Sequence, residues 1–446
     1  MRDYIVEDKA HKARARFIDS IDPEIILRLA SSYHNGDPCE TFRPPEHGSY
    51  NVCFFVEFAD ARWVVRLPIP DRVPWIDEKL EVEIATMKYV TANTTIPVPK
   101  IHAYSYTQES PIQLAFIIMD YVQGKNLREL GFKKDLDVWF SPTTQPTKAR
   151  RAVYEQLADL YTQLRNLEFP EIGALGFSPD DSAIRVRHRP LTVEVLLQHD
   201  EGLDPTRMFA EKKTFHTASE YVNALLWLGD NLLDKGKNSF VDQRGARALY
   251  TPHGFRRFVT ERWLNPAREK GPFVLMHGDL GIQNLLWDDD FNLVAVLDWE
   301  WSSVVPLQFL VPPSWLDGDS VDFLCASQLM YNLEVANLNA IVREKSQNLD
   351  WSRMEKFCHT LVVCALLRPE YVYDVYWRFI GHYLVGFNPR TREKFEEYWK
   401  ITSGWVDSFM DDERKAFLER KKKEQLEYLA AEDEYFGQQP DAGASD

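Results

Sequence analysis

One stretch limits what this chain can become more than any other: FVLMHGDLGIQNLLWDDDFNLVAVLDWEW, residues 273–301. Asp279 and Asn284 are five residues apart, and Asp298 follows fourteen residues later. Between Asn284 and Asp298 lie two short apolar runs, 285–287 and 293–297, separated by the polar residues 288–292. Such a pattern predicts a β-hairpin. A hairpin returns its outer ends to one place, so Asn284 and Asp298 are expected side by side, with Asp279 close behind on the preceding loop. Carboxylate and amide oxygens suit Mg²⁺, which prefers a few protein oxygens completed by phosphates. Asp279 would then remain available to orient a hydroxyl and accept its proton. Asp288, Asp289 and Asp290 belong to the solvated turn.

The rest of the chain predicts a small β-rich lobe followed by a larger helical one, an α+β architecture. Residues 1–40 read as a helical segment, with Asp22, Pro23 and Glu24 as a helix start. Runs rich in β-branched and aromatic residues at 52–58 and 63–67 predict a hairpin. Leu80, Ile84, Met87 and Val90 fall on one stripe and predict a helix over about 77–92. Strands over 101–107 and 113–119 follow, and Gly124 marks a turn before a long, largely helical remainder. Helical patterns interrupted by polar loops fill 190–265, residues 273–298 form a β-rich island, and the chain is helical again after about 320. ERKKKEQLEYLAAEDEYF (419–436) alternates charge and predicts a solvated helix. The last ten residues read as disordered. The chain thus divides into a helical segment 1–40, an N-lobe 41–122, a helical C-lobe 123–420 and a charged tail 421–446.

The N-lobe carries a second, independent signal. Arg66 sits in the second strand of the hairpin, and Glu83 sits inside the apolar stripe of the following helix. An unpaired carboxylate there is costly. An Arg66–Glu83 ion pair resolves that conflict and supplies a positioned cation for a nucleotide phosphate. Glu81 falls on the outer face and is the weaker partner. HGSYN (47–51) precedes the hairpin strand, and its residues Ser49 and Tyr50 would place backbone N–H groups over phosphates.

HGDLGIQN followed by LDWEW is similar to the catalytic loop and metal-binding segment of the aminoglycoside phosphotransferase family, in its eukaryotic, fungal-type branch. The family pattern is met at His277, Gly278, Asp279, Asn284 and Asp298, and the resemblance covers roughly residues 40–320. It implies a protein-kinase-like, two-lobed fold with ATP and Mg²⁺ as cofactors. Asp279, in the catalytic loop 277–284, is then the catalytic base. Asn284 and Asp298, the latter in the segment 297–301, hold the metal, and Glu300 could support it. FIIMDYVQG (116–124) resembles the lobe-connecting hinge. There Met119 would guard the adenine pocket, while the Asp120 carbonyl and the Val122 amide would bond adenine. The resemblance also implies that 190–265 shapes the acceptor site. The chain departs from the antibiotic-modifying members, which carry Lys where Arg66 stands. Arginine keeps the charge and can grip phosphate bidentately.

Composition bounds the alternatives. Lys and Arg number 52 against 68 Asp and Glu, a net charge of −16 that argues against a nucleic-acid partner. Five cysteines without a CxxC pair argue against a zinc site or a disulfide framework and for a reducing compartment. The first residues lack an apolar core and include Asp3, Glu7 and Asp8, unlike a secretory or mitochondrial leader. The apolar stretches 114–119 and 361–367 are too short to span a membrane. A cytoplasmic protein is expected. A protein kinase is disfavoured, because LDWEW stands where DFG would and no APE follows. The expectation is phosphoryl transfer from Mg·ATP to a hydroxyl of a small molecule. The alternatives are a nucleotide-binding pseudokinase that acts as an interaction module and, more weakly, a metal-dependent hydrolase built on His277, Asp279 and Asp298.

Overall fold

The computed structural model describes residues 2–132, 148–180, 182–240, 244–317, 328–346, 349, 359–386 and 391–437. Helix α1 (Tyr4–Asp19) begins where the Asp3 carboxylate accepts the N–H groups of Ile5 and Val6. Helix α2 (Pro23–Tyr33) begins where Asp22 accepts from Glu24, with Pro23 at the first helical position. Both starts are side-chain N-caps that satisfy otherwise orphaned donors. Strands β1 (Glu40–His47), β2 (Asn51–Glu57) and β3 (Arg62–Pro68) follow, then helix α3 (Ile76–Asn93) and strands β4 (Ile101–Ser105) and β5 (Phe116–Asp120). The five strands form one antiparallel sheet in the order β1-β2-β3-β5-β4.

Alternation along the strands decides what each face meets. Phe116 and Ile118 of β5, with Val65 and Leu67 of β3, pack against Ile26, Leu29 and Ala30 of α2. Ile117 and Met119 point the other way, to Leu80, Ile84 and Met87 of α3. Arg66 lies between Val65 and Leu67, so it emerges on the α3 side. The sequence reading missed β1. Pro44 and Pro45 argue against a strand, but β1 is an edge, interrupted by irregularities around Arg43 and Glu46, where proline is tolerated.

The C-lobe begins with α4 (Lys148–Asn166), β6 (Glu168–Phe169), β7 (Ala174–Phe177) and β8 (Ile184–His188). These strands depart from the expected helical remainder. They are short, and the Arg and His of IRVRH dilute the apolar alternation. Helices α5 (Val193–Asp200), α6 (Ala218–Lys235) and α7 (Gly245–Phe258) then occupy the predicted 190–265 region. The β-rich island resolves into β9 (Phe273–Met276), β10 (Leu285–Trp287), β11 (Leu293–Val296) and β12 (Ser303–Pro306). Strands β10 and β11 are the expected hairpin, and β9 pairs with both β12 and β6. The remainder is helical: α8 (Gln328–Lys345), α9 (His359–Leu367), α10 (Val372–Val375), α11 (Gly381–Val385), α12 (Arg392–Phe409) and α13 (Asp412–Gly437). The fold is a two-lobed, kinase-like α+β arrangement. One apolar core runs from the α3 face of the sheet through Leu157 and Leu160 of α4 to Val274 of β9 and Leu361 of α9.

The C-terminal helix corrects the expectation of a merely solvated tail. It runs without a break through residue 421, and Lys421 and Tyr428 are buried. The Lys421 ammonium reaches the Gly236 carbonyl at 2.9 Å and the Glu424 carboxylate at 2.7 Å. The Tyr428 hydroxyl accepts the Tyr4 N–H at 2.7 Å, and the Tyr435 hydroxyl donates to Asp8 at 2.8 Å. A charge-pattern rule cannot see that α1, from the other end of the chain, returns to cover this helix. Residues 438–446 of the expected disordered end lie outside the described residues.

Lys421→Ala strips its partners of a buried donor and should lower stability by about 1–3 kcal/mol in denaturant unfolding. A change within about 0.5 kcal/mol would restore the picture of a solvated helix.

Candidate active site

The site is assembled from one strand, one helix and the hairpin. Strand β3 presents Arg66, which is buried. One end of its guanidinium bonds the Glu83 carboxylate on α3. The other, Nη1, meets Asp298 Oδ1 at 2.7 Å. The predicted Arg66–Glu83 pair is present, and the same cation also bridges the lobes. Four residues before Glu83, on the same side of α3, Lys79 makes a second bridge. Its Nζ lies 2.8 Å from Glu300 Oε2, and both side chains are 5% exposed. The ammonium also stacks over the Trp301 ring at 3.7 Å and the Tyr50 ring at 4.5 Å. Asn51 donates to the same Glu300 oxygen at 3.0 Å. Glu300 is therefore a buried anchor of the segment that carries Asp298.

The hairpin places its ends as expected. Leu285 pairs with Val296, and the Leu297 N–H bonds the Asn284 carbonyl at 2.9 Å. The Asn284 amide donates to the Asp279 carbonyl at 2.7 Å and to Asp279 Oδ2 at 3.2 Å. Asp279, Asn284 and Asp298 thus share one neighbourhood. Three backbone bonds anchor the hairpin from outside. Lys125 and Trp287 exchange N–H···O bonds of 2.9 Å, and the Val296 N–H reaches the Pro97 carbonyl at 2.8 Å.

The loop before Asn284 is held by a buried histidine. Nε2 of His277 lies 2.8 Å from the Leu297 carbonyl, so it carries the hydrogen. Nδ1 then accepts the Asp279 N–H at 3.3 Å. Burial pushes the imidazole pKa down to about 4, and both nitrogens are occupied. Gly278 has φ +82°, and a β-carbon there would lie 2.0 Å from the Trp301 carbonyl. Only glycine fits that approach. Asp298 also adopts a left-handed backbone, φ 65°, a conformation that aspartate tolerates better than most residues.

Electrostatics show what the site lacks. Glu83, Asp279, Asp298 and Glu300 gather around two cations, Arg66 and Lys79. Burial, reinforced by Glu300, pushes the Asp298 carboxyl up to about 6 against the pull of Arg66 and Lys79. Burial also opposes the charge of Glu300, but Lys79 and Arg66 outweigh it and hold that carboxyl below the usual range. Burial pushes Glu83 up to about 7, with Arg66 pulling the other way. An excess of carboxylates over cations fits an added divalent ion. Among the described residues, no group of three or more His, Cys, Asp or Glu could hold a metal by itself.

Ser49 and Tyr50 form the tip of the β1–β2 turn, where the Gly48 N–H bonds the Asn51 carbonyl at 2.9 Å. The carbonyls of Gly48 and Ser49 accept from Arg14 and Arg72, each at 3.2 Å. The Tyr50 ring meets Trp301 edge-on at 5.0 Å. Met119 packs in the core and pairs with Val64 and Ile101. The Asp120 carboxylate bonds His102 at 2.6 Å. Val122 follows as the chain leaves the sheet, half-buried. At Gly124 a β-carbon would lie 2.8 Å from Leu286 Cβ, so glycine lets this exit pass against β10. Sequence reasoning missed Lys79, Asn51 and Arg72. Lys79 was within reach, because it shares the buried face of α3 with Glu83. Glu81 turns to the Phe177 N–H at 3.0 Å and His188 at 3.2 Å, away from Arg66.

Two outcomes are expected. Lys79→Met leaves Glu300 buried and unpaired and should destabilise the chain by about 3–5 kcal/mol. Adding Glu300→Gln should return much of that loss, as measured by a double-mutant cycle in urea. The second concerns pH. The folded Asp298 value lies above the ordinary aspartate value near 3.9. This group therefore makes the folded chain less stable as pH rises from about 4 through about 6. Asp298→Asn should unfold at a higher temperature than wild type above about pH 7, with the gap closing near pH 4. An equal gap at both pH values would contradict the assigned strain.

Residues 41–309, more than half of the chain, match the phosphotransferase enzyme family, APH. A subtelomeric hrmA-associated cluster protein of Aspergillus fumigatus is 29% identical over 145 residues, covering 32% of this chain and 26% of its own length. Altered inheritance of mitochondria protein 9, mitochondrial, of Yarrowia lipolytica is 24% identical over 303 residues, covering 60% of this chain and 50% of its own. The chain thus spans half or less of the length of these relatives. Among solved structures, aminoglycoside phosphotransferase APH(4)-Ia aligns at 11% identity with a TM-score of 0.46, covering 87% of this chain and all of that one. With its catalytic-loop pattern and charge bridges inside the matched span, the chain belongs to the phosphotransferase enzyme family.

Proposed function

We propose that the chain transfers the γ-phosphate of Mg·ATP to a hydroxyl of a small molecule. The observation that carries this reading is the Arg66 guanidinium shared between Glu83 on α3 and Asp298 at the hairpin end. That arrangement puts a fixed cation at the junction of the lobes, beside carboxylate and amide oxygens. Phosphoryl transfer asks mainly for positioning and charge neutralisation. Family membership supports the reaction class.

Asn284 and Asp298 would hold Mg²⁺, which when bound supplies charge neutralisation at the phosphates. Arg66 steadies phosphate oxygens. The turn at Ser49 and Tyr50 covers them with backbone N–H groups. Glu83 holds Arg66 in place. The strand exit takes adenine, with Met119 lining its pocket and the Asp120 carbonyl and Val122 amide bonding it. Asp279 orients the acceptor hydroxyl and accepts its proton, and the Asn284 amide fixes that carboxylate. Helices α5, α6 and α7 shape the acceptor site.

No helix among the described residues is long and apolar enough to cross a membrane. The sequence favours a cytoplasmic site of action, while the name of the Yarrowia lipolytica relative carries the word mitochondrial. Imaging of the tagged chain decides between the two.

Thermal unfolding with and without Mg·ATP tests the nucleotide site. At about a hundred times the dissociation constant the ligand should add roughly 2.7 kcal/mol. Asp298→Ala should lose that gain. Asp279→Asn should keep it, while acceptor-dependent ADP release falls about 10²–10⁴-fold. A retained Mg·ATP gain without ADP release across a panel of hydroxyl acceptors would select the pseudokinase module instead. No gain at millimolar Mg·ATP would reject both.

A further inference from the structure

A cavity of about 160 Å³ lies between α6, α7 and the chain that follows α9. It is close in size to the roughly 150 Å³ engineered cavity that takes benzene. Its walls include Leu225, Leu226 and Leu233 of α6, Phe255 of α7, Leu366 of α9 and Val372 of α10.

Two residues on these walls break the rules of the helices that carry them. Gly229 sits in the middle of α6, where glycine is worse than every residue but proline. Crowding does not require it. A β-carbon at 229 would meet nothing nearer than Pro369 Cβ at 3.7 Å, an ordinary contact. Gly254 in α7 shows the contrast, because a β-carbon there would strike the Tyr376 ring at 2.5 Å. Gly229 serves no packing need; it leaves room. Pro252 sits inside α7 and lines the same cavity. Its missing N–H removes the helical bond to the carbonyl of Ala248, and Ala248 is also on the wall. Local rules broken on two helices at one cavity point to a functional site more than to a packing gap.

Three polar side chains of the lining are already engaged. The Ser239 hydroxyl donates toward the carbonyls of Leu233 at 3.0 Å and Gly236 at 2.8 Å. The Thr251 hydroxyl donates to the Arg247 carbonyl at 2.5 Å and accepts from the Trp377 indole at 2.9 Å. Asp230 is held by Arg256. Most of the remaining wall is apolar, with Arg244, Glu370, Tyr373 and the Ala248 carbonyl as its other polar members. We propose that this cavity is a binding pocket for a small apolar group about the size of one aromatic ring. No residue that holds phosphate or metal in the proposed function lines the pocket, although α6 and α7 belong to its acceptor-shaping region, so benzene binding without nucleotide tests the pocket independently of that reading.

Benzene is the first probe, used with the full chain and without nucleotide. Millimolar benzene should raise the unfolding midpoint of the wild type by about 1–2 °C. Gly229→Leu fills the space and should abolish that rise. Gly229→Ala should raise the ligand-free midpoint and weaken benzene binding several-fold; it decides the matter if the leucine variant does not fold. No rise in the wild type, or a rise unchanged by either substitution, overturns the proposal. Benzyl alcohol with Mg·ATP then separates two sources of the same chemistry. ADP release that Gly229→Leu abolishes marks the pocket as the seat of an acceptor's apolar part. A raised midpoint without ADP release marks a separate effector site.

Discussion

Everything at the cleft depends on how one guanidinium is shared. Arg66 leaves the sheet on the side of α3 and meets a carboxylate from each lobe, Glu83 and Asp298. A planar fork can hold two carboxylates in fixed directions, which a single ammonium point charge does less well. Lys79 of α3 repeats the bridge with the same polarity, an N-lobe cation reaching the Glu300 carboxylate. Residues four apart on α3 therefore govern residues two apart after β11. A shift of α3 would move both ends of the 298–300 segment together, so helix position and the aim of Asp298 are coupled through packed, buried charges.

Such a network is not a source of stability. Burying ion pairs generally costs as much as their attraction returns. The apolar core beneath, continuous from α3 to α9, offsets that cost. Left-handed conformations at Gly278 and Asp298 bring the loop and the hairpin end together, free of strain at the glycine and at some cost at Asp298. His277 spans the two, bonding the Leu297 carbonyl on one side and the Asp279 N–H on the other. A left-handed aspartate and more carboxylates than cations, gathered at one place, mark this segment as a functional site.

Much of this was legible in the residues because local patterns and pair requirements pointed the same way. The hairpin over 285–296 followed from two apolar runs and a polar turn. The Arg66–Glu83 pair followed from one carboxylate trapped in an apolar stripe. What escaped was set by distant chain. Lys79 also lies on the buried face of α3, but its partner Glu300 is more than two hundred residues away. Strand β1 hid behind two prolines that only an edge position permits. Strand β7 is too short, and β8 too charged, for alternation to stand out. The last helix looked solvated because nothing local announces that α1 will cover it.

The terminal helices show how far such distant contacts reach. The match to the enzyme family ends at 309 and begins at 41, so α1 and α13 both lie outside it. Yet α1 is pinned to α13 through Tyr4 and Tyr428, and it sends Arg14 to the Gly48 carbonyl at the β1–β2 turn. Arg72 takes the next carbonyl, that of Ser49. Both carbonyls of the turn are thus held by arginines from outside it. The geometry of the turn is thereby tied to a helix from the opposite end of the chain. A short turn with a single glycine can hold its shape here because α1 and the segment after β3 brace it from behind, which a glycine-rich loop of the same length would have to achieve by its own backbone alone.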